Sequence, residues 1–122
     1  MIYCFDLDGT LCKLPDTCDA GEYNKSYPLD DRIHKVNNLY DQGNTIIIET
    51  ARGSVTGKDW KSITKDQLNN WGVKYHTLRT GIKHAADHYV DDKAINASDF
   101  FADSINRVKL VYLGFLIIPL LI

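Results

Sequence analysis

The chain opens on a short apolar run, Ile2-Tyr3-Cys4-Phe5, that stops against Asp6; it predicts a buried strand, and Gly9 then breaks the backbone. Residues 9 to 28 carry Gly9, Pro15, Gly21 and Pro28 among scattered polar groups and predict a loop or small flap rather than a domain. Leu29, Ile33, Val36 and Tyr40 recur at spacings of four, three and four, which stacks them on one face of a helix over residues 29 to 42. Asp30 or Asp31 can cap its start and Gly43 can end it. The β-branched run in "NTIIIETARG" lies between Gly43 and Gly53 and predicts a buried strand that ends near Thr50. Trp60, Ile63, Leu68 and Trp71 predict a second helix, stopped by Gly72. Residues 73 to 78 and His88-Tyr89-Val90 are a third and a fourth strand candidate, and a last helix would hold Phe101, Ile105 and Val108.

Strands that alternate with helices in this way predict βαβ units and a parallel sheet. In such sheets ligands bind outside the carboxyl ends of the strands. The predicted strands end at Asp6, at Thr50 and at Asp91, so these three positions fall on one rim.

Composition changes this picture little. At 122 residues, 44% of them apolar and 25% charged, the chain suits one domain with a real core. A net charge of −2 gives no basic face for a nucleic acid, and none is expected as a partner. Cys4, Cys12 and Cys18 are odd in number and form no C-x-x-C pair, which together with the lack of a leader-like N-terminus predicts a reducing cytoplasm. The thirteen residues from 110 to 122, "LVYLGFLIIPLLI", carry no charge, but a spanning helix needs about 20 apolar residues and Pro119 interrupts the run. They predict a final core element or the interface of a homo-oligomer in preference to membrane contact.

The chemistry begins with a crowding problem. Residues two apart on an extended backbone point the same way, so Asp6 and Asp8 either both face the crevice or flank the strand's last turn. Asp91 and Asp92 arrive at the same rim from another strand end. Converging carboxylates repel unless a cation separates them, and hard oxygen ligands suit Mg²⁺, which takes one or two carboxylates and fills its shell with water and substrate phosphate.

Asp6-Leu7-Asp8-Gly9-Thr10 resembles the first signature of the haloacid dehalogenase (HAD) superfamily of phosphotransferases. The strand "TIIIETAR" is similar to the second signature, Lys83 to the third, and "HYVDDKAI" to the fourth, in order from residue 2 to about 100. The resemblance implies an α/β, Rossmann-like three-layer sandwich around a central parallel sheet, over residues 1 to 109, with residues 110 to 122 as a tail. It implies Asp6 as the nucleophile that forms an aspartyl-phosphate and Asp8 as the general acid and then base. Thr50 would hold a phosphoryl oxygen, Lys83 would neutralise the nucleophile and phosphoryl charge, and Asp6, the Asp8 carbonyl and Asp91 would bind Mg²⁺ with Asp92 behind them. About 20 irregular residues follow Thr10, too few for the cap domain of larger members. "TARG" and "YVDDKAI" are similar to a small capless subgroup associated with capsule polysaccharide biosynthesis, which implies a sugar phosphate as substrate. The alternatives are a nucleotide phosphatase and a HAD-fold binding or regulatory module without catalysis.

Other motifs compete less well. "GSVTGKD" at 53 to 59 has three residues between its glycines where a P-loop needs four, and Asp59 replaces the Mg²⁺-binding hydroxyl, so a surface turn is expected. His84, Asp87 and His88 lack a third zinc ligand pattern. Arg52 stands just past the strand end; a bidentate contact to substrate phosphate or carboxylate is one reading and a solvated surface arginine the other. Tyr23 and Tyr27 could stack on a sugar or base, or simply pack.

Overall fold

A computed structural model describes residues 1 to 102. They fall into two compact units, Met1–Asp87 and a second that begins at His88, and each is taken by itself.

In the first unit, β1 (Ile2–Phe5), β4 (Thr45–Glu49) and β5 (Thr77–Arg79) form a parallel sheet in the order β1-β4-β5. Ile2 to Phe5 align with Thr45 to Ile48, and Ile47 to Glu49 with Thr77 to Arg79, so all three strands deliver their carboxyl ends to one rim. Helices α1 (Asp30–Asp41) and α2 (Lys61–Asn70) flank the sheet, and no cap domain is present among the described residues. The architecture is a small α/β domain with a central parallel sheet. Along β4 burial alternates, with Ile46 and Ile48 fully enclosed beside Phe5, Leu7, Leu11, Ile33, Val36, Leu68 and Val73. Removing one of these isoleucines to Ala costs about 2–5 kcal/mol.

Helix α1 begins earlier than the proposed caps allow, with Asp30 already its first residue. Leu29 is the N-cap and makes no side-chain cap bond, whereas Asp30 and Asp31 sit in the first turn, where carboxylates oppose the helix dipole. Gly43 closes the helix at φ +93°, a left-handed conformation that suits glycine, with its N–H on the Tyr40 carbonyl at 3.0 Å. On α2 the inward stripe is Trp60, Thr64 and Leu68, spaced by four, and Ile63 of the expected stripe is exposed. The helix is rotated so that a threonine takes a core position.

Residues 9 to 28 form a flap with structure of its own. β2 (Cys12–Lys13) and β3 (Tyr27–Pro28) pair antiparallel at its base, with a 3₁₀ turn at Tyr23–Lys25 between them. Two-residue strands carry no periodicity, so the sequence pattern predicts only a loop or small flap here, without its hairpin. The third expected strand shortens to β5, since residues 73 to 76 serve as its approach; the His76 N–H still donates to the Ile46 carbonyl at 2.8 Å.

The second unit departs furthest from expectation. Residues 88 to 90 form no strand, and Val90 is 97% exposed. An apolar triplet without a ladder partner gains nothing from extended pairing. α3 (Ala97–Phe100) is a single turn capped by the Asn96 side chain, which accepts from the Ser98 N–H at 2.9 Å; Phe101 is its C-cap rather than part of a longer helix. Ile105, Val108 and the tail at 110 to 122 lie outside the described residues. Among the described residues no helix is long and apolar enough to cross a membrane.

Candidate functional site at the carboxyl rim of the sheet

Beyond β1 the chain turns sharply. The Leu7 carbonyl accepts from the N–H groups of Thr10 (3.1 Å), Leu11 (2.8 Å) and Cys12 (3.3 Å), and Gly9 donates to the Cys12 carbonyl at 2.8 Å. Gly9 adopts φ +82°, which an L side chain resists. Leu7 is fully buried, so the turn is pinned by its apolar side chain while Asp6 and Asp8 on either side project polar groups. From α1, the Arg32 guanidinium donates to the Thr10 carbonyl at 3.1 Å and bolts the far side of the loop down.

Asp6 and Asp8 are held by different cations. Lys83 Nζ lies 3.0 Å from Asp6 Oδ1, and the Thr10 hydroxyl donates to Asp6 Oδ2 at 3.1 Å. The structure therefore brings together Asp6 and Lys83, which sit 77 positions apart. Each Asp6 oxygen is positioned by one donor, and the carboxylate keeps 39% of its side-chain exposure.

Asp8 meets Arg52 instead. Nε donates to Asp8 Oδ2 at 2.9 Å and Nη2 to Oδ1 at 2.8 Å, a bidentate fork. The remaining guanidinium protons are also used: Nη1 donates to Thr64 Oγ1 at 3.0 Å and to Gln67 Oε1 at 2.6 Å, and Nη2 reaches Ser26 Oγ at 3.5 Å. The Tyr23 ring packs against the guanidinium, 4.7 Å from its centroid, and stands edge-on to Trp60. The Arg52 side chain has no exposure at all. Neither reading of Arg52 from the sequence fits this arrangement. It is not a solvated arginine, and in this conformation its guanidinium is spent on the protein rather than offered to a substrate.

Thr50 is buried at the end of β4, its N–H on the Arg79 carbonyl at 3.0 Å and its hydroxyl accepting from the Arg52 N–H at 3.2 Å. The hydroxyl thus shapes the turn that sends Arg52 inward, and its own O–H remains a donor. Cys12 is buried beside Asp8, and burial first, then the Asp8 charge, pushes its thiol up to about 12. It is a neutral packing group that donates to the Leu7 carbonyl and to Asp8, with no thiolate for nucleophilic chemistry.

In the second unit Asp91 accepts from the Lys93 N–H at 2.8 Å, and this bond, followed by one from Asp92, holds its carboxyl below the usual range. Among the described residues no three His, Cys, Asp or Glu side chains gather as a ready metal centre; His84, Asp87 and His88 make none.

Thr10 as a partner of Asp6, and Thr64, Gln67, Ser26 and Tyr23 as partners of Arg52, were not singled out in the sequence. A signal existed for Thr64, a polar residue at the middle of the Trp60–Thr64–Leu68 repeat, where an apolar residue would otherwise face the core.

These features define a small α/β domain with a carboxylate–cation site at the carboxyl rim of its parallel sheet. The fold is shared with solved structures. A crystal structure of a target protein from Vibrio cholerae superposes with a TM-score of 0.69 at 27% identity, covering 83% of this chain and 87% of that one. A chain of the Pnkp1/Rnl/Hen1 complex is similar with a TM-score of 0.53 at 20% identity, and one of the Pnkp1/Rnl/Hen1 RNA repair complex with 0.52 at 17%. This chain is covered to 85% in both cases but spans only 34% and 30% of those longer chains. No family model and no curated protein matches the sequence.

Proposed function

We propose that this chain is a Mg²⁺-dependent phosphatase of the HAD type that hydrolyses a phosphate monoester through an aspartyl-phosphate on Asp6. The observation that carries the reading is Asp6 itself. It is a partly exposed carboxylate at the carboxyl end of a parallel strand, with a lysine on one oxygen and a threonine hydroxyl on the other. The fold likeness to part of the longer chains supports the same class.

In this mechanism an Asp6 oxygen attacks phosphorus, the bond from phosphorus to the ester oxygen breaks, and that oxygen takes the proton of Asp8, which enters the step as the carboxylic acid and leaves it as the carboxylate that Arg52 forks. Water then attacks the phosphoryl group while Asp8 recovers a proton, and inorganic phosphate leaves Asp6 free. Lys83 offsets the charge that a carboxylate and a phosphate would otherwise oppose at close range. Thr10 fixes the carboxylate plane, and the Thr50 O–H is the expected donor to a phosphoryl oxygen.

The donor chemistry fits Mg²⁺, since Asp6 and the Asp8 carbonyl offer hard oxygens and the ion needs only one or two carboxylates. Bound there, it would supply positive charge to the transferring phosphoryl group. Asp91 is assigned to the metal on the sequence resemblance alone, with Asp92 behind it.

The ester expected is a sugar phosphate, with a nucleotide as the rival. Phosphate release from a panel of sugar phosphates, nucleotides and 4-nitrophenyl phosphate, with and without Mg²⁺, tests both levels of the proposal. Turnover that needs Mg²⁺ and vanishes in Asp6→Asn supports the class, and the ranking selects the ester. Absence of turnover on every ester, with the fold intact, rejects the enzyme in favour of a binding module.

A further inference from the structure

Arg52 has two sides. One forks onto Asp8; the other touches the flap. Ser26 Oγ accepts from it, the Tyr23 ring covers it, and Gln67 connects the two through both ends of one amide. Gln67 Oε1 accepts from Arg52 Nη1 at 2.6 Å and Gln67 Nε2 donates to the Tyr23 carbonyl at 2.7 Å. Arginine can only donate and a carbonyl can only accept, so these partners fix the amide's orientation. Gln67 sits on α2 three residues after Thr64, the helical spacing that places both side chains over the same guanidinium. Thr64 holds Arg52 alone, whereas Gln67 holds Arg52 and the 3₁₀ turn of the flap together.

We infer that Gln67 is a positioning residue that couples the seat of the flap to the orientation of the Asp8 carboxylate, with Arg52 as the link. When Tyr23 leaves its seat, Arg52 loses its aromatic cover and Gln67 loses the bond that aims it; the fork on Asp8 then loosens. The reverse also follows, because coupling is reciprocal: disturbing Asp8 unseats a flap segment it does not bond. The catalytic consequence rests on the phosphatase reading. The coupling itself does not.

Hydrogen exchange read by mass spectrometry on wild type, Gln67→Leu and Asp8→Asn tests the coupling directly. Exchange is expected to rise about fivefold or more in residues 14 to 28 of Asp8→Asn, and in both 6 to 12 and 14 to 28 of Gln67→Leu. Changes confined to residues 6 to 12 in Asp8→Asn and to α2 in Gln67→Leu would overturn it. Should Gln67→Leu not fold, Gln67→Glu takes its place, since a carboxylate still accepts from Arg52 but has no proton for the Tyr23 carbonyl. In that variant the flap loses its tie and exchange is expected to rise in both 14 to 28 and 6 to 12; a rise confined to 14 to 28, or no rise at all, counts against the proposal.

A kinetic arm follows. General acid catalysis is worth about 10²–10⁴, and a poor leaving group needs it most. Gln67→Leu is therefore expected to lose kcat/KM on an alkyl phosphate at least about 10-fold more than on 4-nitrophenyl phosphate. Equal losses on both esters would reduce Gln67 to a structural residue. If wild type turns over neither ester, the phosphatase reading fails, and the exchange experiment still decides the coupling.

Discussion

Asp6 and Asp8 stand two residues apart and each meets one cation, yet their surroundings differ. Lys83 and Asp6 meet where the side chains retain 19% and 39% of their exposure. Arg52 has none, and every hydrogen-bonding arm of its guanidinium is committed to Asp8, Thr64, Gln67 or Ser26. The contrast teaches that proximity to a rim does not make a cation a ligand for substrate. A lysine is a point charge with rotatable donors and can share itself between a carboxylate and an arriving phosphate; a buried arginine fork is pre-organised for one partner. The first pair stays partly open to solvent, and the second holds Asp8 by both oxygens from a cation with no exposure.

The sharpest way to break this comparison is at Arg52. Arg52→Met leaves Asp8, Thr64 and Gln67 facing an apolar side chain in a partly buried site, and removal of one partner of such a pair costs about 3–5 kcal/mol. A urea unfolding midpoint reads it. Arg52→Lys is expected to recover only a minor part, because an ammonium has neither the planar fork nor the reach to four acceptors.

The opposite behaviour is expected at Asp6. Asp6→Asn breaks a partly exposed pair, worth about 0–1 kcal/mol, so the unfolding midpoint should hardly move. Turnover should nonetheless fall by about 10³-fold or more. A large stability loss with residual activity would place Asp6 in the structural pair instead.

Between these lies Gly53, at the start of the turn after Arg52. Its φ is +81°, and a Cβ there would run into the Lys58 carbonyl oxygen, which is backbone and cannot rotate away. Gly53→Ala should cost about 1–3 kcal/mol and so weaken the Arg52 seat without touching either carboxylate. Thermal unfolding compared with Gly57→Ala, where a Cβ meets nothing, isolates the clash from the shared strain of a positive φ.

The smallest effect is at Cys12. Its thiol, ordinarily near 9.0, is raised to about 12 in the fold, chiefly by burial. A raised folded value favours the protonated form, so this contribution to stability is complete below pH 9 and is lost as pH climbs from 9 towards 12. At pH 8 iodoacetamide should label Cys4, which is exposed, and spare Cys12 until the protein is unfolded.

Much of this arrangement was legible before the fold was seen, and for identifiable reasons. β1, α1 and β4 followed from apolar runs and a four-three-four spacing long enough to overcome local ambiguity. The rim at Asp6 and Thr50 followed from parallel strands ending in polar residues, whereas Asp91 was expected at the end of a fourth strand that does not form. What escaped depended on distances between remote positions. Arg52 and Asp8 are 44 residues apart, and the register of β1 against β4 together with the Thr50 turn brings them to each other. The rotation of α2 by which Thr64 displaces Ile63 from the core is a choice between two overlapping apolar faces. The flap hairpin is two residues per strand, and His88-Tyr89-Val90 had strand composition without a strand.

The central claim is that Asp6 carries the phosphoryl group. Wild type and Asp6→Asn, mixed with ³²P-labelled substrate and Mg²⁺ and quenched in acid within one turnover, can be digested with trypsin. The account predicts a hydroxylamine-labile label on the peptide that spans residues 1 to 13 and none in the variant. Turnover without that label, or label and turnover that survive in Asp6→Asn, would contradict it.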